Sequence, residues 1–78
     1  MQVIYKSAAR KALGKMPAQD KDALHNKLTA FAKTGAGDVK KLKGREGYRL
    51  RHGVWRAIFT IENDVVVIQI AHRSDIYR

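Results

Sequence analysis

Arg49, Arg51 and Arg56 are the residues whose type and spacing most clearly point to chemistry. They lie within a stretch from Lys40 to Arg56 that carries seven bases (Lys40, Lys41, Lys43, Arg45, Arg49, Arg51, Arg56) and one acid, Glu46. A guanidinium presents a planar fork of donors and keeps its charge at any physiological pH, so a cluster of them suits a phosphate. Lys40, Lys41 and Lys43 add a sequence-independent attraction for a polynucleotide backbone. Trp55 and Tyr77 offer rings on which a base can stack. The whole chain is basic, with 16 Lys+Arg against 7 Asp+Glu and a net charge of +9, which points to a polyanionic partner.

Other chemistries find little support. The chain has no cysteine, which excludes a thiol nucleophile, a disulfide and thiolate-bound zinc. It has no P-loop, no dinucleotide-binding glycine motif and no HExxH. His25, His52 and His72 lack ligand-like spacing, and acids are too few for a two-metal nuclease. No metal or other cofactor is therefore expected. Metal-free RNA cleavage remains open to such a site. A 2′-hydroxyl attacks the neighbouring phosphate, a base takes its proton, cations stabilise the crowded phosphorane, and an acid protonates the leaving oxygen.

These side chains need a rigid frame. Val3-Ile4-Tyr5 reads as a short strand. Ser7 caps a helix with its body at 8–15, ended by Gly14 and Pro17. A second helix runs from Pro17 to about Lys33, with Leu24, Leu28 and Phe31 on one stripe, and Gly35 and Gly37 stop it. Residues 40–47 read as a charged, glycine-bounded loop. Tyr48 to His52 alternates, with Tyr48 and Leu50 on one face and Arg49 and Arg51 on the other. Gly53 makes a turn, and His52 beside it is expected to be exposed. Trp55 to Glu62 puts Ala57, Phe59 and Ile61 on one face and Arg56, Ile58 and Thr60 on the other. Asn63-Asp64 reads as a two-residue hairpin turn, and Val65 to Ala71 as a central strand.

The expectation is a single α+β domain over 1–78, in which an N-terminal strand and an α-helical hairpin pack on an antiparallel β-meander. The helices cover the apolar face. Arg49, Arg51 and Arg56 then converge on the other, where nothing in the sequence supplies three acids to pair with them. A hydrophobic fraction of 45% is enough for a core. No apolar run approaches the roughly 20 residues of a membrane span, so a soluble, cytoplasmic protein with no membrane partner is expected.

The stretch from Lys40 to Arg78 resembles the C-terminal half of the RelE/ParE toxin superfamily. The carriers, in order, are Lys41-Leu42-Lys43-Gly44, Tyr48-Arg49-Leu50-Arg51, Gly53-Val54-Trp55-Arg56 and His72-Arg73 followed by Tyr77-Arg78. The β-α-α beginning is also similar to that family. The resemblance implies a toxin of a type II toxin-antitoxin system, of the RelE-like branch, which cleaves mRNA in the ribosomal A site and is neutralised by a cognate antitoxin. It implies catalytic roles for Arg49, Arg51, Arg56, Arg73 and Tyr77, with Arg56 and Arg73 on the scissile phosphate and Tyr77 stacking on or orienting the substrate. Lysines stand in the best-known pattern where this chain has Arg49 and Arg51. An arginine does not give up its proton, so His72 and Tyr77 become candidates for the base. Lys40, Lys41, Lys43, Arg45 and Trp55 are candidates for RNA and ribosome contact. Two alternatives share the fold: a ParE-like inhibitor of DNA gyrase that is not an enzyme, and a relative that only binds its antitoxin or RNA.

Overall fold

The computed structural model describes the backbone of residues 1–76 and side chains through Ser74. Five strands form one sheet: β1 (Val3–Tyr5), β2 (Val39–Lys41), β3 (Tyr48–His52), β4 (Trp55–Glu62) and β5 (Asp64–His72). Helices α1 (Ser7–Lys15) and α2 (Ala18–Thr34) connect β1 to β2, and a short α3 (Arg73–Ile76) follows β5. The strand order is β1-β5-β4-β3-β2, with β1 parallel to β5 and the other pairs antiparallel. The anticipated meander is therefore the middle of a wider, mixed sheet.

The helices bury one face of this sheet. Leu24 and Leu28 are fully buried and Phe31 nearly so, which places the α2 stripe against Leu50, Ala57, Phe59, Val65, Val67 and Ile70. From α1, Ala9 and Met16 join the same core. Phe59 is its centre, with the rings of Phe31 and Tyr48 at 5.3 and 5.6 Å. Gly35 ends α2 in the left-handed conformation (φ 76°), its N–H donating to the Phe31 carbonyl, so the glycine stop works as expected.

Several local expectations are corrected. Ser7 is the first residue of α1 and not its cap. Lys6 holds the cap position in an extended conformation because its N–H continues the β1 ladder to the Val67 carbonyl. Residues 39–41 form an edge strand where a loop was expected, and the loop proper is 42–47. Asp64 belongs to β5, paired with Glu62, so the turn between them is Asn63 alone at φ 66°. The Asp64 carboxylate instead accepts from the Gln2 N–H, tying down β1. Ile61 lies at the hairpin end and is exposed rather than under the helices.

Strand β5 carries one irregularity. Ile58 pairs with Gln69 but Phe59 pairs with Val67, leaving Ile68 as the extra residue of a β-bulge. Beyond it the alternation of β5 is inverted relative to an unbroken strand. Ile70 and His72 then share the helix side, and Ala71 shares the open side.

Candidate functional site

Strand register assembles the open face directly. Lys40, Arg49, Ile58 and Gln69 form one row across β2, β3, β4 and β5, and Arg51, Arg56 and Ala71 form the next. Lys40 thus lies opposite Arg49, and Arg51 opposite Arg56. Like charges directly opposed across strands destabilise a sheet, and here two consecutive rows carry them. The expected convergence of the three arginines on one face is what the register gives.

Each arginine is held differently. Arg51 is exposed, and its Nε donates to the Asp38 carboxylate at 2.9 Å. Its backbone N–H also donates to the Asp38 carbonyl. One acid thus pairs with the cluster, short of the three that would neutralise it. Gly35 and Gly37, both at positive φ, turn the chain out of α2 and bring Asp38 beside β3. With Nε engaged, the terminal nitrogens of Arg51 are left to a ligand.

Arg56 is only 5% exposed. One terminal nitrogen donates to the carbonyls of Gly53 (2.8 Å) and Trp55 (3.0 Å), while its buried Nε has no partner among the described residues. The guanidinium is folded onto the β3–β4 turn, which Gly53 forms at φ 56°. Glycine first in a two-residue hairpin suits the tight turn that strand twist demands. Arg49 is half-buried and lines a surface cleft of about 390 Å³ with Lys40, Lys41, Leu42 and Lys43.

The remaining candidates separate. Lys41 pairs with Tyr48 and so points away from the side of Lys40. Lys43 and Arg45 are exposed on the 42–47 loop, closed by the Leu42 N–H to Gly47 carbonyl bond. Trp55 is partly buried against the core and meets His72 edge to face at 5.4 Å. The bulge has put His72 on the helix side, away from the arginine rows. Its Nδ1 accepts from the Ser74 N–H and lies 3.0 Å from the Ser74 hydroxyl, so the neutral ring carries its proton on Nε2. Neither nitrogen is then free to accept.

His52 is not an exposed turn residue. It ends β3, with Nε2 at 3.4 Å from the Asp20 carboxylate and Nδ1 buried without a partner among the described residues. Arg73 is exposed at the start of α3, its N–H bonded to the Val54 carbonyl. Tyr77 lies outside the described residues. Among the described residues no group of three or more acids and histidines could hold a metal ion. Asp38 is the site residue that sequence reasoning missed, and the flanking Gly35 and Gly37 were the available signal.

The family model of the ParE toxin of type II toxin-antitoxin systems matches residues 3–77. The chain belongs to this family, within the RelE/ParE toxin superfamily. Among solved structures, the toxin is similar to the RelB–RelE antitoxin-toxin complex of Methanococcus jannaschii, at 20% identity and TM-score 0.80, covering 95% of this chain and 94% of the other. It is similar to the isolated Escherichia coli RelE toxin at 20% identity and TM-score 0.78, covering 97% and 89%. It also matches the RelE–RelB complex of Pyrococcus horikoshii at 25% identity and TM-score 0.62, covering 92% and 93%. No curated protein matches it in sequence. The α+β fold inferred from the sequence is thus the RelE-like fold, and the toxin's arginine rows lie on the sheet face that its helices leave open.

Proposed function

We propose that this toxin inhibits translation as a metal-independent, ribosome-dependent mRNA endonuclease. The observation that carries the reading is the two rows of opposed cations, Lys40 with Arg49 and Arg51 with Arg56. Opposing like charges across these pairs weakens the strand pairing, and a phosphodiester crossing the face would neutralise them.

The terminal nitrogens of Arg51 form the fork for the scissile phosphate, held in aim by Asp38. Arg56 stands behind it, its buried guanidinium adding positive charge beneath the phosphorane without touching it, and Arg73, exposed at the start of α3, adds a further cation. Arg49 and Lys40 hold the flanking backbone, and Tyr77 stacks on the substrate. The arginines keep their protons, and His72 lies on the opposite side of the sheet with its Nδ1 held by Ser74. Asp38 is the carboxylate that contacts this face among the described residues, and its oxygen takes the proton of the 2′-hydroxyl as that oxygen bonds to phosphorus; the bond to the 5′-oxygen breaks, a 2′,3′-cyclic phosphate is left, and water protonates the departing 5′-oxygen. The cognate antitoxin presents an acidic, amphipathic segment to the same arginines, as its resting-state cover.

Primer extension on an mRNA under translation in a purified system tests this. Cuts inside codons, appearing only on translated message and insensitive to chelators, are the expected result. Growth arrest without cuts would sink the reading. The second reading is then inhibition of DNA gyrase, favoured by the ParE model match over residues 3–77 and by the burial of Arg56. A supercoiling assay with Arg51→Ala separates the two, because a gyrase inhibitor has no need of a phosphate fork.

A further inference from the structure

A second basic surface lies on the other side of the molecule. Lys6, Arg10, Lys11 and Lys15 are all exposed along α1, and residues 6–16 contain no acid. None of the four has an ion-pair partner among the described residues. Lys6 and Arg10, like Lys11 and Lys15, are four residues apart, where like charges destabilise a helix. Lys6 and Arg10 also flank the helix end whose backbone dipole favours anions. Of the four, Lys15 alone is favourably placed, in the last turn of the helix.

The stripe that serves folding is Ala9, Ala12, Leu13 and Met16, which faces the core. The outward stripe, at the same spacing, is Ser7, Arg10, Lys11 and Gly14. Its small members leave the backbone bare between the cations. Nothing lies within 4 Å of where a side chain on Gly14 would begin, so packing does not demand a glycine there. Tyr5, Ser7, Arg10 and Lys11 line a cleft of about 360 Å³ at the junction of β1 and α1.

α1 packs on the sheet face opposite the arginine rows. A partner that engages both basic surfaces must surround a body measuring 28 × 27 × 22 Å. A large folded RNA can line such a space. We propose that α1 is a second RNA-docking surface, on which Lys6, Arg10, Lys11 and Lys15 grip the phosphate backbone of a folded RNA without reading its sequence. The proposal rests on the RNA-directed reading of the toxin and adds to it a separate docking contact.

The test uses the quadruple variant K6Q/R10Q/K11Q/K15Q in two assays. One is binding to a fluorescein-labelled RNA hairpin across a salt series, and the other is cleavage on ribosomes translating a defined message. Hairpin affinity should fall about tenfold or more at roughly 0.1 M salt, and the slope of log affinity against log salt should shrink by about 3. The half-saturating ribosome concentration should rise while the saturated cleavage rate stays unchanged. The charge-conserving variant K6R/R10K/K11R/K15R should bind as the wild type does, and both variants should keep wild-type helix content by circular dichroism. Unchanged affinity and slope in the quadruple variant, with wild-type cleavage intact, would overturn the α1 surface and leave the nuclease reading standing. Lost binding in the charge-conserving variant would overturn the charge account. A wild-type toxin that neither cuts translated message nor binds the hairpin would overturn both readings.

Discussion

The two faces of the sheet are built from different materials. Under the helices, Leu50, Ala57, Phe59, Val65 and Val67 meet Leu24, Leu28 and Phe31, and nearly every contact removes apolar surface from water. On the open face, Lys40, Arg49, Arg51 and Arg56 stand in register beside buried Ile58, Val66 and Ala71. The covered face stabilises the fold. The open face gives up part of that stability to hold like charges together, which is the pattern of a surface kept for a ligand.

Substitutions can break that contrast. The largest effect is expected at Phe59→Ala, which empties the centre of the covered face. A loss of about 3–5 kcal/mol should leave so small a domain largely unfolded in a urea titration. Arg56→Ala comes next. It removes a buried guanidinium bonded to two turn carbonyls, and a loss of about 2–3 kcal/mol should appear in the same titration along with lost cleavage.

Arg51→Ala sharpens the comparison from the exposed side. Its ion pair with Asp38 is solvent-facing, so stability should change by less than about 1 kcal/mol, yet translated-message cleavage should be abolished. Asp38→Asn should keep the fold and RNA affinity while slowing cleavage. Equal loss of stability at Arg51 and Arg56 would erase the distinction between them.

The smallest effect is one of pH. Burial pushes the Tyr5 hydroxyl up to about 12 from its usual 10. The folded toxin therefore keeps a proton that the unfolded chain releases. This contribution to stability is full below about pH 10 and is lost as pH rises from there towards about 12. Urea midpoints across that window should fall less steeply for Tyr5→Phe than for the wild type.

Much of this contrast was legible in the residues. The Leu24, Leu28, Phe31 stripe and the alternation of Tyr48 to Arg51 are local patterns, and both faces emerge from them. Long-range facts were not legible. A three-residue strand bearing two lysines reads as loop because short, charged edge strands are how sheets discourage further pairing. The Asp38–Arg51 pair depends on the path of the chain between α2 and β2, and Arg56 is buried by a turn three residues before it. The extra residue at Ile68 leaves no mark in a valine-rich run, yet it moves His72 to the face opposite the arginines. The cations of α1 were overshadowed by the denser run from Lys40 to Arg56, although they stand without a single acid among them.

The pairing of β1 with β5 also sets a timetable. Val3 to Tyr5 finds its neighbours at Val65 to Val67, so the strand made first waits for the one made last among the five. Until the chain has been synthesised through β5, the core of α1 and α2 has no central strand to close upon. Contacts this distant in sequence form slowly. The nascent toxin thus carries β1 unpaired until β5 follows, whereas the β2–β3 and β3–β4 pairings that oppose its cations are local.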